Sequence, residues 1–393
     1  MIRTRIQGLS SVLLAVGVGW GAGNVGPVVT PLSRGFHVSL AEVGLLSGTV
    51  YFAAVMLATP FAVPLASRLG VVRASAIAAA AMAAGNALFA VSPAFGWLLA
   101  GRVLVGIGAA VALIVGPVMA RELGGMRLLG LFGGAITFGI AAALGVGSAL
   151  QDAGASWRVG FVVSAAVCLA PMLVLPARIA GAPATLPDRA FLAAALRSGG
   201  VWRLLALFVA ANGVPLIVSA WFVAYLTRDA GIGTAVAGAL AFVVFGLTTV
   251  GRPIGARLAG ARGRFGALAA GGSAVATAGL LALAATSSLP GALVAVLLMG
   301  VGFALPYAVM VDSAQRLFPG KATATLAVVQ TGPNVVPMLV IPLVGTALDH
   351  HSAPLAFALL GGFVALAGAL NFTAPHAATD TVTAPAPTTT PHP

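Results

Sequence analysis

Apolar residues along this chain form long runs, and the gaps between the runs are short and polar. A helix needs about 20 predominantly apolar residues to cross the hydrocarbon core of a bilayer. The pattern therefore predicts an all-α integral membrane protein. The predicted spans are twelve: residues 8–32, 41–66, 71–92, 95–119, 128–150, 157–176, 202–226, 235–258, 265–287, 290–312, 323–347 and 354–373.

The composition supports this prediction and excludes other classes of protein. Hydrophobic residues make up 60% of the 393 residues and charged residues only 7%, against about 25% charged in soluble domains. The net charge of +12 would suit nucleic acid, but the basic residues lie in short gaps without a solvent-facing domain to carry a patch. One cysteine, Cys168, excludes an intramolecular disulfide and a cysteine metal cluster. No phosphate-binding loop or zinc-protease motif occurs. We therefore expect that the protein is not an enzyme and binds no cofactor.

The basic residues also predict the orientation. Of the 20 Lys and Arg residues, Arg34, Arg158 and Arg228 fall on one side of the predicted spans, and Arg102 and Arg252 fall within spans. The remaining 15 fall on the side that carries both termini. Because cytoplasmic loops carry the excess of Lys and Arg, we expect a multi-pass protein of the inner or plasma membrane with both termini in the cytoplasm.

The chain divides into two halves that repeat each other. Asn24-x-x-Pro27 in span 1 recurs as Asn212-x-x-Pro215 in span 7, and Gly106-x-Gly108 in span 4 recurs as Gly300-x-Gly302 in span 10. A parallel repeat of this kind packs about an axis along the membrane normal and encloses a central cavity. We predict two pseudo-symmetric six-helix bundles, residues 1–177 and 202–373, with a cytoplasmic linker at 178–201 and a disordered tail at 374–393.

The linker holds one predicted element. Residues 191–196 have the composition of a short amphipathic helix lying on the membrane. Its functional interpretation is a regulatory segment, and the simpler one is a tether between the halves.

Arg102 is the only charge in the apolar run 95–119. A guanidinium inside hydrocarbon costs about 2.5–3.5 kcal/mol on insertion scales and normally faces a protein interior or a watery cavity. The alternative is that Arg102 lies near the helix end and extends to the interface. The corresponding residue of the second half is Val296, so the sequence predicts that the charge is not repeated.

Three motifs resemble those of the major facilitator superfamily of secondary transporters. Arg102, Gly106 and Gly108 with the two alanines that follow match its motif B, R-x-x-x-G-x-G-a-a. The loop 67–73 is similar to motif A through Arg68, Gly70 and Arg73, but Ser67 stands where the family has Asp. Trp157-Arg158 is similar to the family's W-R-x-x-F segment at the start of span 6. The Gly-Pro pair of antiporters is absent from span 5.

This resemblance covers residues 8–373 and implies transport by alternating access around a cavity lined by spans 1, 2, 4, 5, 7, 8, 10 and 11. The polar candidates for binding substrate or coupling ion are Arg102, Asn24, Asn212, Gln330, Asn334 and Tyr307. The candidates for conformational-switch loops are Arg68, Gly70, Arg73, Arg257, Arg262 and Gly263.

The amides allow two interpretations. Asn24 and Asn212 each precede a proline that frees a backbone carbonyl, so each amide either satisfies its own kinked helix or faces a ligand. Gln330 and Asn334 flank Gly332-Pro333, where a broken helix would present polar groups at a site.

The acidic residues restrict the substrate and the coupling. All eight lie in loops, in the tail or at span ends, so Glu42 and Asp312 are the only carriers left for a coupling H⁺. A cavity with a fixed positive charge and no negative one favours neutral or anionic solutes. We expect a monomer in the bilayer that exports a small hydrophobic, neutral or anionic compound. The alternative is a transport-inactive sensor or receptor that has kept the fold.

Overall fold

The structure is a computed structural model, and it describes residues 2–179, 187–262, 265–318 and 320–372. Within these ranges eleven helical segments are long and apolar enough to cross a membrane. One of them, Phe95–Asp152, has 58 residues and is interrupted at Gly124 and Gly125, where Gly125 has a φ of 62°. At 1.5 Å per residue its two helical parts together supply about 87 Å of helix, enough for two crossings. The all-α fold with twelve spans is confirmed.

The spans start and end within a few residues of the predicted bounds. In chain order the segments are Gln7–Phe36, Leu40–Leu69, Val71–Val91, Phe95–Asp152 (spans 4 and 5), Trp157–Val174, Gly199–Arg228, Thr234–Gly255, Phe265–Ala285, Leu289–Ala314, Ala324–Asp349 and Ala353–Phe372.

Several spans are broken, in most cases where the sequence places proline or asparagine. Span 1 passes from the helix Ile2–Gly23 through a 3-10 turn, Gly26–Val28, into Val29–Phe36. Span 7 passes from Gly199–Phe208 through a π-turn that holds Asn212 into Val214–Arg228. Such π-turns occur frequently at functional sites. Comparable breaks divide span 2 (Leu40–Gly44, Leu45–Thr49, Val50–Leu69), span 10 (Leu289–Ala304, Pro306–Leu317) and span 11 (Ala322–Val329, Gly332–Asp349).

The repeated glycines have the same packing role in both halves. Gly106 lies against span 2 and Gly108 against span 3, and a Cβ on Gly108 would fall 2.7 Å from a main-chain oxygen of span 3. Gly300 lies against span 8 and Gly302 against span 9, where a Cβ would again meet main-chain atoms. Small residues let helices approach closely in a membrane, and the equivalent helix pairs therefore pack in the same way in each half.

The two ends of the bundle differ. We call the end that holds residues 187–198 the linker side and the opposite end the far side. On the far side the Asp349 carboxylate at the end of span 11 accepts hydrogen bonds from the main-chain N–H groups of Leu40 (2.9 Å) and Ala41 (3.3 Å) at the start of span 2. Thr49 donates to the carbonyl oxygen of Met338 (2.7 Å). These bonds join the two halves directly.

Other far-side contacts reinforce this closure. Trp221 of span 7 is fully buried and donates from Nε1 to the carbonyl oxygen of Ile341. A Cβ on Gly44 or Gly345 would fall about 3 Å from the same indole ring. The halves are therefore tightly packed at the far side.

The linker contains the helix Arg189–Arg197, slightly longer than the predicted one. Asp188 caps its first turn by accepting from the Phe191 N–H (2.7 Å). Phe191 is 4% exposed and packs edge-on against Phe318 at 5.2 Å, and Lys321 lies 3.7 Å from the Asp188 carboxylate. This helix is thus attached to the loop between spans 10 and 11. The predicted tail at 374–393 lies outside the described residues.

Candidate functional site

Arg102 lies inside the first half and has no exposed surface. Its Nε donates to the carbonyl oxygen of Leu46 (2.8 Å), and its Nη1 donates to the carbonyl oxygen of Gly21 (2.8 Å) and to Asn24 Oδ1 (3.2 Å). The guanidinium lies 4.7 Å from the centre of the Tyr51 ring. Nη2 is buried without a partner among the described residues. The side chain therefore joins spans 1, 2 and 4 and does not extend to an interface.

Asn24 belongs to the same buried network. Its Nδ2 donates to Asn86 Oδ1 (2.8 Å) and to Ser164 Oγ (3.1 Å), and Trp20 also donates to Ser164 (2.8 Å). An unpaired amide is costly to bury, and here both ends of the Asn24 amide are paired. The structure therefore places Asn24 within the helix packing of the first half.

A second arginine cluster occupies the other half. Arg252 of span 8 donates from Nη2 to Asn212 Oδ1 of span 7 (3.0 Å), and its guanidinium lies 4.3 Å from the centre of the Tyr307 ring of span 10. Its Nε is buried and has no partner among the described residues. Arg252, Asn212 and Tyr307 are each partly exposed. We call these three residues the Arg252 cluster.

The second half has no charge at the position equivalent to Arg102, which is Val296, but it holds a comparable cluster built from other spans. Each half has an arginine, an asparagine and a tyrosine in contact, and the asparagines occupy equivalent spans, 1 and 7. The arginine and tyrosine exchange places: the arginine is on span 4 in the first half and on span 8, the counterpart of span 2, in the second. Arg102 and Val296 lie on spans 4 and 10. The repeat between these two spans therefore does not reveal an arginine on span 8.

The Arg252 cluster faces the first half. A Cβ on Gly133 of span 5 would have one neighbour within 4 Å, the Tyr307 hydroxyl at 3.6 Å. A Cβ on Gly134 would meet the methyl group of Thr249, which is three residues before Arg252. The cluster thus lies between the halves, on the linker side of the far-side contacts, next to glycines that leave space.

Gln330 and Asn334 lie at the break in span 11. Gln330 is exposed, and its carbonyl oxygen accepts from Asn334 Nδ2 (3.4 Å). A Cβ on Gly213, the residue after Asn212, would fall 3.3 Å from Pro333. Spans 7 and 11 therefore meet where both are broken, which brings Gln330 and Asn334 to the same region of the second half as Asn212.

The predicted switch loops lie at the linker side. Arg68 and Arg73 are exposed, and Gly70 between them ends the helix of span 2 with a φ of 80°, a conformation that favours glycine. In the second loop Arg257 is exposed on the helix Thr234–Arg262. Arg262 is the last residue of that helix, and Gly263 lies outside the described residues.

The W-R pair at the start of span 6 closes the end of span 3. Arg158 donates from Nη1 to the carbonyl oxygen of Ala90 (2.6 Å) and from Nη2 to that of Ser92 (2.8 Å). Its guanidinium lies 4.4 Å from the centre of a ring of Trp157. These bonds satisfy carbonyls that a helix C-terminus leaves free, so this motif has a structural role here.

No acidic side chain in the described ranges is bonded to a residue of the Arg252 cluster. Glu42 accepts from the main chain and hydroxyl of Ser39 at the far side, and Asp312 is paired with Arg316 at 2.8 Å. No group of three metal-ligating side chains occurs in the part of the chain that the structure describes. Within that part, neither span arginine has a carboxylate partner.

The chain matches a known protein family and shares its fold with solved structures. The model of the Major Facilitator Superfamily matches residues 11–339. No curated protein sequence matches. A bacterial homolog of the human lysosomal transporter Spinster, in its inward-facing and unoccupied conformation, has a TM-score of 0.76 at 17% identity, covering 94% of this chain and 96% of its own.

Two further solved structures share the fold. The same Spinster homolog in its inward-facing and occupied conformation has a TM-score of 0.76 at 19% identity, covering 93% of this chain and 95% of its own. A D-xylose-proton symporter has a TM-score of 0.72 at 16% identity, covering 94% of this chain and 96% of its own. These likenesses concern the fold.

Proposed function

Because this chain belongs to the Major Facilitator Superfamily of secondary transporters, we propose that it moves a small organic solute between its two halves by alternating access. The observation that carries the proposal is the unequal closure of the two ends. Asp349 and Thr49 close the far side through hydrogen bonds between the halves, and the Trp221 indole packs there against Gly44 of the first half, while the polar Arg252 cluster lies between the halves nearer the linker side. This is the arrangement expected of a carrier whose binding region is reached from the linker side.

The solute class follows from the charges around that region. Arg252 supplies a positive charge, and Gln330, Asn334, Asn212 and Tyr307 supply polar groups on otherwise apolar helices. We propose a hydrophobic, neutral or anionic solute. The excess of Lys and Arg on the linker side supports a cytoplasmic location for that side. In this proposal both termini are cytoplasmic, the protein resides in the cell membrane as a monomer, and the solute is taken up from the cytoplasm for export.

Arg102 has a different role in this proposal. Its guanidinium binds carbonyl oxygens of spans 1 and 2 from span 4, and it has no exposed surface. We propose that Arg102 and Asn24 act on transport by fixing the packing of the first half, and that they do not contact the solute directly.

The test is flux in proteoliposomes across a panel of neutral, anionic and cationic amphipathic solutes, with and without a proton gradient. The gradient tests Glu42 and Asp312 as carriers of a coupling proton. Flux of at least one solute that depends on the protein is expected. A protein that binds solutes but transports none of them would be the transport-inactive sensor or receptor. The replacement of the motif A aspartate by Ser67 favours that alternative.

A lock at the far side provides the matched control. An ideal Cβ on Gly48 falls 2.7 Å from the Ile341 Cβ, and a small shift gives the separation of about 3.8 Å that a disulfide needs. In a Cys168→Ala background, Gly48→Cys with Ile341→Cys should stop flux when oxidised and restore it when reduced. Flux that continues through the oxidised protein would contradict alternating access.

A further inference from the structure

The positive charge of Arg252 is not balanced by the protein. A guanidinium has five N–H donors, and in the described part of the chain this one makes a single hydrogen bond, from Nη2 to Asn212. Its Nε is buried without a partner. A buried donor without a partner is destabilising, and more so when it is charged. The position is therefore unfavourable unless something outside the protein completes it.

Arg252 is also held in place for a partner. Stacking on the Tyr307 ring at 4.3 Å fixes the guanidinium plane, and Asn212 fixes its rotation. A planar, oriented guanidinium with free donors suits an oxyanion such as a carboxylate or sulfonate. The arginine does not extend to the membrane surface, because both contacts come from neighbouring spans of its own half.

The surroundings leave room for an apolar body beside the charge. Gly130 and Gly133 of span 5 lack side chains on the opposite wall, and a Cβ on Gly130 would meet nothing within 4 Å. An occupant would thus meet a cation on one wall and, on the other, a helix surface that carries no side chains at these glycines.

We propose that Arg252 is the anion-binding group of the transport site and that the solute is an amphipathic molecule with one carboxylate or similar oxyanion. This inference rests on the proposed function, since it assigns the substrate class of the same region. Asn212 and Tyr307 are then positioning residues for Arg252.

The experiment measures the local charge and does not require the solute to be identified. In the purified full-length Cys168→Ala protein, Gly133→Cys places a thiol opposite Tyr307. Its rates of modification by an anionic sulfonatoethyl and a cationic trimethylammonioethyl methanethiosulfonate are compared. We expect the anionic reagent to react faster relative to the cationic one, by about tenfold, with Arg252 present. Arg252→Gln should remove this preference and Arg252→Lys should keep most of it.

Two controls make the result specific. Arg228→Gln removes an exposed arginine from the far-side end of span 7 and should leave the ratio unchanged. Gel filtration confirms that each variant remains folded. An unchanged ratio in Arg252→Gln, or an equal loss in Arg228→Gln, would overturn the proposal.

Protection of the Gly133→Cys thiol from modification identifies the charge of the molecule that occupies the site. Octanesulfonate should slow modification of Gly133→Cys at least about threefold, and octyltrimethylammonium at the same concentration should not. Equal protection by both, or none by octanesulfonate, also contradicts an anion site. Failure of this assignment can be distinguished from failure of the proposed function. A charge preference at Gly133→Cys without flux in proteoliposomes refutes the proposed function alone. Flux that Arg252→Gln does not change refutes the assignment of Arg252 alone.

Discussion

Replacing Asp349 with asparagine tests the contact that closes the far side. The carboxylate accepts main-chain N–H bonds at the start of span 2 from across the boundary between the halves, at 2.9 Å to Leu40 and 3.3 Å to Ala41. These N–H groups belong to the first helical turn, where a negative charge is stabilised by about 0.3–1 kcal/mol at exposed positions. Asparagine retains the shape and loses the charge.

The magnitude follows from the exposure and the bonding of the site. Asp349 is exposed, which keeps the loss within that range, and it accepts from two N–H groups, which favours the upper end, about 1 kcal/mol. Because these bonds exist only while the far side is closed, the whole amount shifts the equilibrium toward the open state. A change of about 1 kcal/mol corresponds to a factor of about five in the ratio of the two states.

Spin-label distances measured by pulsed electron resonance report this ratio. In the Cys168→Ala background, labels at Arg34 and Arg228 lie on the far-side ends of spans 1 and 7, in different halves, and both positions are exposed. We expect Asp349→Asn to increase the long-distance population about fivefold.

Glu42→Gln is the matched control for this measurement. Glu42 belongs to the same first turn of span 2 but bonds only to Ser39 of its own half. The Glu42→Gln substitution should weaken the first turn of span 2 without opening the far side. A distance distribution that Asp349→Asn leaves unchanged, or an equal shift in Glu42→Gln, would refute the assignment of Asp349 as a contact of the closed state.

Three further predictions concern the packing and the linker. Arg102→Ala should reduce proteoliposome flux at least about tenfold while the protein still inserts, because three polar contacts of the first half are lost; near-normal flux at normal expression would contradict this. Gly19→Ala should lower the Tm of the purified protein, because its Cβ would overlap a main-chain oxygen of span 5, whereas Gly246→Ala, with nothing within 4 Å, should not. Asp188→Ala should increase hydrogen exchange over residues 189–197 at neutral pH. The N–H of the first turn lowers the pKa of Asp188 below its usual 3.8, so the cap of the wild-type protein is present above that pH and is lost as the pH falls through the lowered pKa; wild-type exchange rates in the variant would show that the cap is unimportant.

The sequence predicted the spans closely because hydropathy and length determine them. A residue in hydrocarbon must satisfy its backbone within its own helix, so span bounds depend on local composition alone. The repeated glycines of spans 4 and 10 do lie where other helices approach closely, but the sequence did not indicate which helices these are. The short linker helix was visible because its apolar spacing is local.

The site was less predictable because its contacts join distant parts of the chain. Asn24 and Asn212 look alike in sequence, yet Asn24 is enclosed by Asn86 and Ser164, whereas Asn212 is partly exposed and bonds to Arg252. Hydropathy does not encode which face of span 8 turns toward span 10, so Arg252 was counted as a span residue and not as a candidate. The Asp349 contact joins residues 309 positions apart, and no local pattern indicates it.

The absence of carboxylates from the span interiors of the described chain has a consequence for energetics. If neither Glu42 nor Asp312 at the span ends carries a coupling proton, an anion bound to Arg252 would cross the bilayer alone, and each cycle would move net negative charge. The membrane potential contributes about 2.3 kcal/mol per elementary charge for each 100 mV. In a cell whose interior is negative, that term drives an anion outward, so voltage alone would favour export and no second ion would be required.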